Sequence, residues 1–120
     1  MTPTAICIHV STNDIGSGKS VDEIIAEMED LVKLIQRQDI VPIVSLVTVR
    51  DDKHAGKVDF VNERLRALCD KLRAECIEHD RVRKEHLNTS GLHIARQSNY
   101  ILNNDFTEYF NYAISNDFWT

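Results

Sequence analysis

The sequence is poor in residues that break or staple a chain. Four Gly and two Pro in 120 residues exclude collagen-like and linker-like chains. The three cysteines, Cys7, Cys69 and Cys76, are an odd count without a short-range framework, so free thiols in a reducing compartment are expected. Cys69 and Cys76 are seven apart, which reads as two turns along one helix face and too far for a bridge. Positive charge is also short: 14 Lys and Arg stand against 19 Asp and Glu, a net charge of −5. A nucleic-acid or anionic-membrane role needs a basic face, so neither is expected of this domain alone. No apolar run approaches the roughly 18 residues that span a bilayer. Met1 to Val10 has no basic flank and no small-residue cleavage site. A cytoplasmic (intracellular) protein is expected, or a fragment of something larger.

What is present is the balance of a soluble globular domain, 42% hydrophobic and 28% charged. The length suits one domain over 1–120. Two periodicities alternate along it. Ala5 to Val10 is a nearly continuous apolar run, suiting a strand buried on both faces. A polar loop, Ser11 to Lys19, follows. Ser20-Val21-Asp22-Glu23 reads as a capping box opening a helix. Val21, Ile24, Ile25, Met28, Leu31, Val32 and Ile35 recur at helical spacing.

The pattern then repeats. Ile40 to Val49 is the most strand-prone stretch, with Pro42 tolerable near its start. Arg50 to Gly56 is a charged loop. Val58, Val61, Leu65, Leu68, Leu72 and Cys76 mark a second helix, and a third strand is expected around Cys76 to Val82. A last helix runs from about Arg96 to Ala113. The order β-α-β-α-(β)-α predicts an α/β, three-layer fold with a short parallel sheet of two to three strands flanked by helices. In such sheets the chemistry sits at the carboxyl ends of the strands.

Three constellations lie where chemistry is expected. Asn13 to Ser20 resembles a phosphate-binding loop, with Lys19-Ser20 in place, but Asn13 stands where the first glycine must start the turn. A weak nucleotide binder is one reading; a loop feeding a capped helix is the other. His79, His86 and His93 are each seven apart, yet they straddle several elements and no Cys or carboxylate cluster completes a metal set. No metal and no cofactor are expected. The third constellation is His9-Val10-Ser11-Thr12-Asn13-Asp14 together with Ser90-Gly91-Leu92-His93-Ile94.

That last pair carries a resemblance. Ile8 to Ile15, IHVSTNDI, resembles the I-H-V-G-T-N-D block of the SGNH (GDSL-type) hydrolase family. Ser90 to Leu102, SGLHIARQSNYIL, resembles that family's final D-G-[LI]-H block. The helix, strand and helix between them fit the family's order. A finer resemblance is to the esterase-like domain in proteins of LINE-type retrotransposons. The resemblance implies a flavodoxin-like sheet and acyl transfer, in which a serine is activated and the tetrahedral oxyanion stabilised. It gives Asn13 as the oxyanion donor and His93 as the general base.

The departures are as informative. These residues contain no G-D-S block, so the family's nucleophile is absent from them. Ser90 stands in place of the Asp that orients the histidine, and Ser11 and Ser98 replace two glycines. Loss of the orienting carboxylate costs a triad hydrolase orders of magnitude. The resemblance therefore implies the C-terminal part of a truncated SGNH-type domain, without hydrolase activity. It also implies that Ala5 to Val10 is an edge strand, an association site for a homodimer or a partner strand. The alternatives are an esterase using His93 as base and a phosphate-loop nucleotide binder.

Overall fold

In the computed structural model, the structure describes residues 5–9, 12–87, 94 and 96–115. Strand β1 is Ala5–His9 and is followed by a one-turn helix α1, Thr12–Gly16. Helix α2 is Val21–Arg37, strand β2 Val41–Ser45, helix α3 Ala55–Leu72 and strand β3 Glu75–Ile77. Two 3₁₀ turns, Lys84–His86 and Arg96–Ser98, lead to helix α4, Asn99–Ser115.

The three strands form one parallel sheet in the order β1-β2-β3. His9 lies opposite Ser45, and Ser45 opposite Ile77. Side chains alternate across a strand. Ile8, Val44 and Cys76 therefore share one face, which packs with Ile24, Ile25, Met28 and Val32 of α2 and Val61, Leu65 and Leu68 of α3. His9, Ser45 and Ile77 share the other face, on the side of α4. The result is helices, sheet and helix in three layers.

Local chemistry explains the boundaries. Ser20 caps α2: its Oγ accepts from the Glu23 amide at 3.1 Å. The expected capping box forms only half. Glu23 takes the Ser20 hydroxyl at 3.2 Å and does not reach back to the Ser20 amide. Helix α3 begins without a side-chain bond from its own cap residue; Asp52 Oδ1 instead accepts from the His54 amide at 3.0 Å. It ends at Arg73, in the left-handed conformation (φ 56°), with the Ala74 amide returning to the Cys69 carbonyl at 2.9 Å.

This turn corrects the cysteine expectation. Cys76 does not continue the helix but lies in β3, and the chain reversal brings its thiol back to that of Cys69. Cys69 Sγ donates to the Glu75 carbonyl at 3.9 Å, and the neighbouring Cys69 thiol together with burial pushes the Cys76 thiol up. The third strand is also shorter and earlier than expected, Glu75–Ile77, because the chain leaves the sheet at Glu78. The Ser11–Lys19 loop contains α1, and the last helix starts three residues after Arg96.

Candidate functional site

The carboxyl ends of the strands bring three segments together: α1 after β1, residues 46–54 after β2, and residues 78–83 after β3. Each is fixed by specific polar contacts. Asn62 of α3 clasps the backbone of Val47, its Oδ1 accepting from the amide and its Nδ2 donating to the carbonyl, both at 2.9 Å. Lys57 Nζ donates to the Ile15 and Lys19 carbonyls at 2.8 and 2.6 Å, tying α1 and the following loop to α3. Arg50 is buried and pairs with Asp52 through Nε at 2.9 Å and Nη2 at 2.8 Å. This pairing holds the Asp52 carboxyl at about 2, below its usual range. The Arg50 guanidinium lies against Gly16, where an added Cβ would sit 3.3 Å from both terminal nitrogens.

Of the residues singled out in the sequence, Asn13 is the second residue of α1, at the carboxyl end of β1. Ser90 and His93 lie outside the described residues. Lys19 donates to Glu27 at 2.8 Å, and α1 occupies most of the stretch a phosphate-binding loop would have to wrap. His86 Nδ1 accepts from the Arg83 amide at 2.9 Å in a turn of its own, so the histidine series does not converge through it. No group of three or more potential metal ligands occurs among the described residues.

A polar path crosses the α4-facing layer, and the sequence reading did not find it. Ser45 Oγ lies 2.9 Å from His9 Nδ1 and 2.6 Å from His79 Nε2. His79 Nδ1 lies 2.9 Å from Asp105 Oδ2. Arg81 donates from Nε to Asp105 Oδ1 at 2.8 Å and also pairs with Glu108. Phe106 packs over both imidazoles, with ring centroids 5.2 Å from His79 and 6.5 Å from His9. The signal was in the sequence: Ser45 is the polar residue inside a run of Val, Ile and Leu, and a buried hydroxyl needs a partner.

The order Ser45, His79, Asp105 is that of a hydrolase triad. Burial separates it from one. Ser45 is 0% exposed, and the His79 and Asp105 side chains are 1% and 4% exposed, so no substrate reaches the hydroxyl.

Two open spaces flank these elements. A cleft of about 660 Å³ lies at the ends of β2 and β3, lined by Val47, Asn62, Arg66, His79, Val82 and Arg83 among others. A groove of about 210 Å³ lies beside β1, where Ile8, Ile24, Met28 and Leu31 give it an apolar wall. The outer edge of β1 pairs with no strand among the described residues, and Ile6 and Cys7 on it are exposed. No described helix is long and apolar enough to cross a membrane.

No protein-family model matches the sequence, and no curated protein matches it. Solved structures do match its fold. A Bacteroides fragilis protein assigned as an acylhydrolase superposes with a TM-score of 0.79 at 15% identity, over 92% of this chain and 62% of its own. A GDSL-like lipase from Bacteroides thetaiotaomicron superposes with a TM-score of 0.76 at 15% identity, over 92% of this chain and 63% of its own. The chain has the fold of GDSL-type (SGNH) hydrolases and spans a little over three-fifths of the length of these two structures.

Proposed function

We propose that these 120 residues act as part of an SGNH-hydrolase-like domain that does not hydrolyse esters by itself and works by strand association. The observation that carries this reading is the edge of β1. Its outer side pairs with no strand among the described residues, Ile6 and Cys7 on it are exposed, and an apolar groove runs alongside. Such an edge is a template for another strand. The occupant we favour is β1 of a second copy, giving a two-fold homodimer. Free thiols at Cys7, Cys69 and Cys76 support an intracellular setting, and the finer resemblance to LINE-type retrotransposon proteins supports a host of that kind.

Light scattering behind size exclusion tests the association. The expected result is a dimer at micromolar concentration, tightened by salt because two copies of net charge −5 repel each other. A clean monomer at every salt concentration refutes it. Hydrolysis of p-nitrophenyl acetate tests the rest. The expected rate equals that of His93→Ala; activity that vanishes in this variant refutes the inactive reading.

A second reading follows from the chain's share of its structural neighbours. In a longer chain that supplies a nucleophile, Asn13 would donate to the oxyanion and His93 would act as the base. Ser90 would stand where the orienting carboxylate belongs. In that case the same assay on the longer chain shows His93-dependent turnover, improved by Ser90→Asp.

A further inference from the structure

Four side chains take no part in the reading above: His9, Ser45, His79 and Asp105. Counting their protons fixes the direction of every hydrogen bond between them. Asp105 accepts from Arg81 on Oδ1 and faces His79 Nδ1 with Oδ2. A carboxylate has no hydrogen to give, so His79 Nδ1 carries the proton and donates it. In the neutral ring His79 Nε2 is then an acceptor. The group 2.6 Å from it is Ser45 Oγ, which must donate its only hydrogen there. The Ser45 oxygen is left to accept, so His9 Nδ1, at 2.9 Å, donates to it. The lone pair of His9 falls on Nε2. Ser45 has no exposed surface, so water does not scramble this order. His9 sits in the open edge strand and is exposed.

We propose that the path is a proton relay with His9 as its open end. His9 Nε2 takes a proton from a hydroxyl or water at the carboxyl end of β1, and the charge comes to rest on His79 beside Asp105. The donor's O–H bond breaks, its electron pair stays on the oxygen, and the proton bonds to Nε2. The Nδ1 proton of His9 passes to Ser45 Oγ. The original Ser45 proton passes to His79 Nε2. His9 ends neutral with its proton on Nε2, Ser45 is a hydroxyl again, and His79 is an imidazolium paired with a carboxylate. One proton enters and one positive charge moves inward.

The surroundings favour that destination. His9 faces Ser45 from β2, His79 from beyond β3, Phe106 from α4 and the charge of Asp14 from α1. Its pKa is lowered by the partial burial of the ring on its Nδ1 side and by His79, against the opposing pull of Asp14. His79 faces Ser45, His9, Phe106 and the Asp105 carboxylate, with which a positive ring makes a buried charge-assisted hydrogen bond. Arg81, itself also held by Glu108, shares that carboxylate and limits the gain. The relay goes beyond the association reading and does not depend on it.

Nitrogen NMR of the histidine rings in the whole chain tests the relay. At neutral pH His9 is expected in the form protonated on Nδ1. On acidification His9 is expected to change to the form protonated on Nε2 while staying neutral, as the relay carries the proton inward. Asp105→Asn should weaken proton binding at His79 roughly tenfold, the effect of removing one close opposite charge. Ser45→Ala should leave the two rings titrating independently. His9 protonated on Nε2 at neutral pH overturns the proposal, as does His9 becoming charged without first changing to the Nε2 form. The unsubstituted chain alone decides this, so a variant that fails to fold does not rescue the idea.

Discussion

Asp105 is a buried charged link between α4 and the segment after β3, and replacing it with alanine should weaken the fold by a calculable amount. Its side chain is 4% exposed and accepts from His79 Nδ1 at 2.9 Å. A hydrogen bond to a charged group contributes about 1.5–3 kcal/mol. Truncation also leaves the His79 N–H, on a side chain 1% exposed, without a partner. An orphaned buried donor costs about 1–3 kcal/mol. The two costs overlap, and a net loss of about 3 kcal/mol is consistent with breaking other buried ionic contacts. Arg81 adds little, because it is half-exposed and keeps Glu108 at 3.0 Å. For a domain stable by roughly 5–15 kcal/mol, Asp105→Ala stays folded but weaker. With a urea slope of about 2 kcal/mol per molar, the unfolding midpoint followed by circular dichroism should fall by about 1.5 M. Asp105→Asn keeps an acceptor for His79 and should lose less than half as much. An alanine variant within about 0.5 kcal/mol of the parent refutes the reasoning, since that is the size of an ordinary surface change.

Leu65 is 0% exposed between α3 and the sheet, and Leu65→Ala should cost about 2–5 kcal/mol, read as a large fall in melting temperature. Ser20→Ala removes the cap of α2 and should cost about 1 kcal/mol in the same urea titration, with Ser20→Asp nearly neutral. The Asp52 carboxyl is held at about 2 chiefly by its hydrogen bonds from Arg50. A group depressed in the folded state stabilises it above the unfolded pKa of about 3.9, and loses that effect as pH falls through the folded value. Asp52→Asn should therefore lower the urea midpoint at pH 5, with the gap from the parent closing between about pH 4 and pH 2. A gap that is constant across this window removes the Arg50 pairing as its cause.

The elements were legible where one period ruled a long segment. Ile24, Ile25, Met28, Val32 and Ile35 recur at helical spacing and are all buried on α2. The end of α3 was not legible, because Cys76 continues the helical spacing of Leu65, Leu68 and Leu72. Only Arg73 breaks the helix, and an arginine in a left-handed turn has no sequence signature. The polar path was partly legible. Ser45 announced itself by its polarity among apolar neighbours, but its partners come from 34 and 36 positions away. Asp105 lies four residues after buried Ile101, on the inward side of α4, where a carboxylate stands out once its partner is known. His79 was grouped with His86 and His93 by spacing, whereas its contacts are set by the sheet. Regular spacing along the chain carries spatial meaning only within one element.

The β1 strand shows the opposite relation between pattern and surroundings. Ala5 to Ile8 is apolar on consecutive residues, which is how a strand reads when helices cover both its faces and strands flank both its edges. Yet Ile6 is 38% exposed, while Ile43 and Val44 of β2 are fully buried. The difference is one of neighbours: β2 lies between two strands, and β1 pairs on one side only among the described residues. An apolar strand exposed in this way costs hydration at every uncovered side chain, about 25 cal/mol per Å². It also leaves alternate backbone groups to water or to another chain. A sequence selected only for an exposed edge would alternate polar residues or place Lys and Pro there. This one does neither, so its composition suits the strand association proposed above. If β1 of a second copy is the occupant, Ile6 and Cys7 should lose exposure in the dimer, and hydrogen exchange of the β1 amides should slow as protein concentration rises.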